Sequence, residues 1–265
     1  MNITENQTTL VQRWKDGKTT HVNEYLGDES LVHLSLNGEK VTSLLASNED
    51  LQYLLAGHFF TEYKMDISSR FKDIDITRKT HGIIVNVGYP DVILEKNRRG
   101  LVVSSCGACD QNNLSALVDS TPNVTATNEL YSMEGLIVKL DEMRSLQKSF
   151  LKTGGVHAAG VLMEDNSFIV MEDIGRHNAV DKAIGSSIVN YPEYSIRALF
   201  LSGRCGWDIV SKAANTNIPV IVSVGAASSL AAHTARSANI SLVSFVRDGK
   251  AVVIGPFNGR FHTKD

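Results

Sequence analysis

Residues 198–230 read ALFLSGRCGWDIVSKAANTNIPVIVSVGAASSL. The apolar run ALFLSG (198–203) ends in glycine and leads to an amphipathic stretch from about Trp207 to Ala214. A second run, PVIVSV (219–224), leads through Gly225 to a helix from about Ser228 to Ser237. Short apolar runs closed by glycine read as buried strands, and their alternation with helices implies a sheet with parallel strands and helices on its faces. The pattern extends both ways. Upstream lie strands HAAGVLM (157–163) and SFIVMED (167–173), then a helix from about His177 to Ile188. The alternation starts at about Glu129, with a helix that ends at Gly154-Gly155, which suit a C-cap. Downstream, SLVSFV (241–246) and AVVIG (251–255) flank an Asp248-Gly249 turn.

The N-terminal half has a different texture, of short strands with tight turns. Asp16-Gly17 separates LVQRW from KTTHVNEYL, and Asn37-Gly38 separates LVHLSL from KVTSLLA. Both dipeptides supply the positive φ angles of two-residue hairpins. Asn48 is placed to cap a helix whose apolar positions Leu51, Leu54, Leu55 and Phe59 recur at i, i+3, i+4 and i+8. Gly82 to Tyr89 and Leu101 to Ser105 read as buried strands, and the second delivers the chain to Cys106. Residues 110–127 are rich in Asn, Ser and Thr and read as a loop or linker. The expected fold class is α/β with an α+β N-terminal part. The expected division is a strand-rich domain at 1–127, ending in the loop that carries the cysteines, and an α/β domain at 128–265.

Composition narrows the function. A chain of 265 residues with 43% hydrophobic content can bury a sizeable core, and a formal charge of −3 lacks the basic field of a non-specific nucleic-acid binder. Residues 1–18 contain no apolar run of the secretory type, and the most apolar stretch, Pro219 to Ala232, is short and interrupted by Ser223, Ser228 and Ser229. The expectation is a cytoplasmic protein that binds neither membrane nor nucleic acid. Three cysteines argue against a disulfide framework and for a reducing compartment.

Two of those cysteines form Cys106-Gly107-Ala108-Cys109. Vicinal thiols relay sulfur, ligate metal or form a redox disulfide. Arg98 and Arg99, just upstream, would lower a thiol pKa where they approach it, and Gly107 leaves the loop free to swing. A structural zinc site needs four ligands, and neither a second C-x-x-C nor a local histidine set completes one. Three further segments leave a strand and open a helix: Asp173 to Asn178, Ser202 to Trp207, and Gly225 to Ser229. In a parallel sheet such turns share one edge, where unpaired helix N–H groups favour phosphate. Arg176, Lys182, Arg204 and Lys212 would add charge to that rim, while ordinary capping by Asn178 or Ser228 is the simpler account of any one turn. His177, at a helix mouth beside Arg176, suits a ligand contact or acid–base role, and His157 is equally well a core residue. Phe245-Val246-Arg247-Asp248-Gly249-Lys250 is at least a hairpin, with an aromatic face and two cations for a nucleotide.

Read together, SSCGAC, TGGVHAAG, EDIGRHNAVDKAIG, SGR…DIVSKAA, IPVIVSVGAASSLAAHTA and SFVRDGK resemble, in order from Ser104 to Lys250, the FdhD family of formate dehydrogenase accessory sulfur carriers. The resemblance implies a cytoplasmic homodimer with a three-layer, cytidine-deaminase-like second domain. It implies a sulfurtransferase that accepts persulfide sulfur from a cysteine desulfurase. That sulfur passes to the molybdenum (or tungsten) bis-guanine-dinucleotide pterin cofactor, held by its GDP-like moieties, before insertion into apo-formate dehydrogenase. By position, Cys106 is similar to the persulfide cysteine and Cys109 to its partner. Phe245, Val246, Arg247, Asp248, Gly249 and Lys250 are similar to the cofactor-binding segment, with His177 and Arg204 as rim contacts.

Two departures stand out. Asp110 follows Cys109 where the family usually has glycine, and Cys205-Gly206-Trp207 replaces a turn that commonly carries serine and glutamate. Three other readings compete. A deaminase-type zinc hydrolase wants H-x-E and P-C-x-x-C, but His177-Asn178-Ala179 has no glutamate and Cys205 stands alone. A dithiol oxidoreductase lacks a thioredoxin-like context. A non-covalent cofactor chaperone leaves the C-x-x-C without a use, and no structural metal is expected in the favoured reading.

Overall fold

The computed structural model describes residues 8–90, 92, 114–125 and 129–262. The C-x-x-C at 106–109, the strand expected at 101–105, Arg98, Arg99 and Asp110 lie outside them. β1 (Thr8–Lys15) and β2 (Lys18–Tyr25) form a two-stranded antiparallel ribbon of their own. Its turn uses Asp16 and Gly17 at φ 51° and 77°, as the dipeptide predicts. β3 (Ser30–Leu36) and β4 (Glu39–Ala46) form the second hairpin, with Asn37 and Gly38 at φ 52° and 81°. After α1 (Leu51–Tyr63) come β5 (Asp75–Lys79) and β6 (Gly82–Val87), completing a four-stranded sheet of order β4-β3-β6-β5.

One face of this sheet, carrying Val32, Leu34, Leu44, Ile83 and Val85, packs on Leu51, Leu54, Leu55 and Phe59 of α1. The helix period is the one read from sequence, but its cap is not Asn48. The chain enters α1 through Asp50 in the left-handed region (φ 56°), and Asp50's side chain makes no capping bond. That left-handed step moves the helix start two residues beyond Asn48. Asn48 is instead buried at 6% exposure, with an Oδ1 that has no hydrogen-bond partner among the described residues.

The stretch read as a loop at 110–127 contains α2 (Leu114–Asp119), because Leu117 and Val118 find apolar cover. Val124 N then donates to Ala238 O, and Asn239 Nδ2 donates back to Val124 O. Polar composition concealed these anchor points. α3 (Met133–Leu146) and α4 (Lys148–Thr153) follow, and α4 ends on Gly154 at φ 64°.

The second sheet takes β7 (His157–Met163), β8 (Phe168–Asp173), β9 (Ile196–Leu201), β10 (Val220–Ser223), β11 (Ser241–Arg247) and β12 (Lys250–Ile254). The helices between them are α5 (Arg176–Asn190), α6 (Trp207–Asn215) and α7 (Ser229–Ser237). Sheet order is β12-β11-β10-β9-β7-β8, with β9, β10 and β11 mutually parallel. β7 is antiparallel to both β9 and β8, so β8 runs with β9. Alternation along each strand makes two cores. Leu199, Leu201, Ile221 and Leu242 face α5, α6 and α7, while Ala198, Phe200, Val220 and Val222 face α3 through Leu136, Leu140 and Met143. Helices cover both faces of this sheet.

α1 and α5 cross closely at Gly57 and Gly185. A Cβ on Gly57 would strike the Asp181 carbonyl, and one on Gly185 the Tyr53 carbonyl. Beside the crossing Lys212 Nζ reaches Asp181 Oδ1 at 2.8 Å and Glu62 Oε1 at 2.6 Å, while Thr61 Oγ1 donates to Asp181 Oδ1 at 2.8 Å. Burial pushes the Asp181 carboxyl up, but Lys212 and His58 outweigh it and hold it at about 2. Among the described residues, no helix is long and apolar enough to cross a membrane.

Candidate functional site

Because β8, β9, β10 and β11 run in one direction, their carboxyl ends lie on one edge of the sheet, together with the start of β7. The three turns picked out from sequence therefore converge, and the β11–β12 hairpin joins them.

The first turn is fixed by Asp173. Its carboxylate accepts from Gly175 N at 2.8 Å, Asn178 Nδ2 at 2.9 Å and Ser47 N at 3.1 Å, and pairs with Lys182 Nζ at 2.7 Å. Lys182 is thus a buried counter-ion rather than a rim charge. Lys212, also placed on the rim by sequence, is buried beside Asp181. Both lie on the inner faces of their helices, which spacing from the turn does not reveal. Asn178 does not cap α5; its amide also donates to Leu45 O at 2.8 Å, which ties the turn to the four-stranded sheet.

The second and third turns are zipped together. Cys205 N donates to Ala226 O at 3.0 Å, Ser228 N to Cys205 O at 3.1 Å, and Ser223 Oγ to Gly203 O at 2.6 Å. Cys205 is buried, and burial pushes its thiol well above the ordinary range, with Asp208 adding to the rise. Arg176 pulls the other way, but desolvation outweighs it, so the Cys205 thiol stays protonated.

α5 and α6 begin on Gly175 and Gly206, neither with a side-chain cap, whereas Ser228 caps α7 by accepting from Ala231 N. Two of the three helix starts therefore keep uncapped N–H groups of the kind that bind anions. Around them, Arg176 Nε and Trp207 Nε1 are buried donors with no hydrogen-bond partner among the described residues, and Arg204 is exposed. His177 Nε2 faces the Asp208 carboxylate. His157 lies against Gly203, where an added Cβ would sit 3.2 Å from its Nδ1. Both imidazoles are pulled below the ordinary histidine value. Burial is the main cause for each, and Arg176 adds to it against Asp173 at His157 and Asp208 at His177.

Phe245 is 45% exposed and sits at φ 55°, where β11 slips register against β12 between Ser244 and Arg247. Its N donates to Gly225 O at 3.1 Å, which locks the bulge to the third turn. Arg247 and Lys250 pair across a turn built on Asp248 (φ 51°) and Gly249 (φ 69°), and all four are exposed. Val246 is different: its side chain is buried in the core facing α3, so only its backbone is available to a ligand. The edge thus gathers His157, Arg176, His177, Arg204 and Phe245 with Arg247 to Lys250. Trp207 is the rim residue that sequence reasoning passed over, seen only as a departure. Its signal was an indole N–H at the first position of a helix. Cys106 and Cys109 lie outside the described residues. Among those described, no three His, Cys, Asp or Glu side chains gather as metal ligands would.

Comparison with known proteins follows the same outline. Sulfur carrier protein FdhD of Shewanella oneidensis is 29% identical over 256 residues, covering 95% of this chain and 90% of that protein. The protein of the same name from Streptomyces coelicolor is 31% identical over 271 residues, covering 92% and 91%. A crystal structure described as a formate dehydrogenase accessory protein, from Desulfotalea psychrophila, superposes with a TM-score of 0.71 at 19% identity. It covers 96% of this chain and 100% of that one, and shows that the fold is shared. The FdhD/NarQ family itself matches from residue 28 to residue 256, and the chain belongs to that family.

Proposed function

We propose that this protein is a sulfur carrier serving formate dehydrogenase. In this reading it takes persulfide sulfur from a cysteine desulfurase onto Cys106 and delivers it to a molybdenum bis-guanine-dinucleotide pterin. Relatives named as sulfur carriers support the carrier role. The observation that supports the substrate is the edge itself, where two uncapped helix starts, two unpartnered N–H donors and a half-exposed aromatic ring lie together. These suit a nucleotide diphosphate: the N–H groups and Arg204 for phosphate oxygens, Phe245 for a base, and Arg247 and Lys250 for added charge.

The chemistry is an exchange at sulfur. The Cys106 thiolate attacks the terminal sulfur of the donor's persulfide, the donor's S–S bond breaks, and the donor leaves as a thiolate while Cys106 becomes –S–SH. Cys109 is the neighbouring thiol able to resolve or receive it. The rim holds the pterin substrate by its nucleotide arms, so that transfer gains from proximity. The deaminase-like topology and the homodimer that the resemblance implies belong to the same reading.

Intact mass after incubation with a cysteine desulfurase and cysteine tests it. The wild type and Cys205→Ala should gain the mass of one sulfur atom and Cys106→Ser should not. Full maturation of formate dehydrogenase by Cys106→Ser, in cells lacking the native protein, would instead make the protein a non-covalent chaperone.

A further inference from the structure

Nothing in the backbone of Gly206 requires glycine. It stands at φ −95° and ψ 173°, an extended conformation open to any residue. What requires it is Asp208, two residues on: a Cβ on Gly206 would lie 2.4 Å from Asp208 Oδ1. The other carboxylate oxygen, Oδ2, faces Nε2 of His177 across the mouths of α5 and α6. The His177 side chain is 12% exposed and that of Asp208 33%, so water screens the pair only in part.

That carboxylate has little freedom. Turning it to clear a Cβ would carry Oδ2 off the ring, because both oxygens turn together. Nε2, set against a carboxylate, carries a proton, which leaves Nδ1 as the nitrogen for a ligand. The charged groups facing His177 are Arg176 and Asp181 on its own helix, and Asp208 and Lys212 on α6. Arg176 and Lys212 oppose an imidazolium, as burial does, while Asp208 and Asp181 favour it. Asp181 is already matched by Lys212 one turn below, so Asp208 is the effective counter-charge. Glu62 and His58 of α1 meet Lys212 and Asp181 rather than the ring, and His157 of β7 lies against Gly203.

We infer that Asp208 is the positioning residue for His177, and that Gly206 supplies the space that lets its short side chain reach the ring. The carboxylate holds the imidazole by Nε2, keeps Nδ1 free, and balances the ring when it becomes a cation. Neutral in the empty rim, His177 then takes up a proton from solvent as a nucleotide's phosphate arrives, and offers it a second ring N–H. The pairing stands apart from the nucleotide reading of the rim, whereas its use in proton uptake rests on that reading.

Histidine ring titration of the ligand-free protein by two-dimensional NMR tests the pairing, with His177→Gln assigning the resonance. In Asp208→Asn, which keeps the shape and removes the charge, His177 should titrate lower than in the wild type by about 1–3 pH units, the usual reach of an adjacent opposite charge. Gly206→Ser should lower it too, with urea stability held at the wild-type level, since serine is a favoured N-cap residue. Gly206→Ser/Asp208→Glu, whose carboxylate is one methylene longer and clears the new Cβ, should bring the titration back toward the wild-type value. An unchanged His177 titration in Asp208→Asn, or in folded Gly206→Ser, would overturn the pairing. Calorimetry with GDP in buffers of unlike ionisation enthalpy reads its use: the wild type should take up protons on binding, and Asp208→Asn markedly fewer. Equal uptake by the two would overturn the proton role. A wild type that binds no GDP would overturn the nucleotide reading, and the proton role with it, while the ligand-free titration still decides the pairing.

Discussion

Gly57→Ala is expected to destabilise the protein, against the usual preference of helices for alanine. Alanine is worth about 1 kcal/mol over glycine inside a helix. Here the new Cβ would also come within 2.6 Å of the Asp181 carbonyl carbon and 2.9 Å of Gly185 N, both backbone atoms that no rotamer change can move. Carbon pairs settle at about 3.5–4.0 Å, so α1 and α5 must part by about an ångström along the crossing. Overpacking of this kind costs about 1–3 kcal/mol, and more where backbone opposes backbone. At the upper end of that cost and set against the propensity gain, the net loss is about 2 kcal/mol, or roughly 4–8 °C in Tm for a chain of this size. Gly185→Ala should behave alike, since its Cβ would come within 2.7 Å of Gly57 N. The double variant should lose less than the sum, by about 1 kcal/mol or more, because helices parted by one methyl already have room for the other. Urea unfolding of the four proteins measures this. A Gly57→Ala variant as stable as the wild type, or singles whose losses simply add, would refute the close crossing.

Removing Lys212 as Lys212→Met should cost about 3–5 kcal/mol, because Asp181 is then a buried carboxylate without its ammonium; Asp181→Leu/Lys212→Met should recover most of that by urea titration. Since the folded Asp181 is held at about 2, its contribution is complete above the ordinary carboxylate value and lost as pH falls toward 2, which acid titration of wild type against the double variant reads out. His157 and His177 are depressed in the fold, so their contribution to stability is present above about 6.5 and declines as pH falls below it. Phosphate at the rim favours their protonated forms, so calorimetry with GDP should show affinity rising over that window while unfolding free energy falls. Affinity unchanged between pH 7.5 and 5.5 would remove both rings from the site.

The parts of this fold written in local chemistry were readable. HAAGVLM is β7 to the residue, since an apolar run closed on both sides permits little else, and Asp16-Gly17 and Asn37-Gly38 make the turns their φ preferences demand. What sequence hid was direction. Lys182 and Lys212 sit in the second turn of helices that open on the rim, so their charges seemed to belong there. Whether such a side chain turns inward depends on the carboxylate waiting for it: Asp173 three residues before its own helix, and Asp181 on another helix altogether. The cap of α1 escaped for a similar reason, as a left-handed aspartate is a poor guess beside a serine–asparagine pair. The rim was legible because strand direction sets it, whereas Cys106 and Cys109 rest on spacing and resemblance.

The attachment of the three turns has a mechanical consequence. The second and third turns form one plate, sewn by Cys205, Ala226 and Ser228, while the first is moored through Asn178, Asp173 and Ser47 to the opposite sheet. A ligand touching Arg176 and Arg204 together therefore straddles two differently moored pieces, already joined by His177 and Asp208, and acts as a second rivet between them. Its binding energy appears as resistance to opening along that seam, and slowed amide exchange should spread to Ser47 and Ile174, which the ligand never touches.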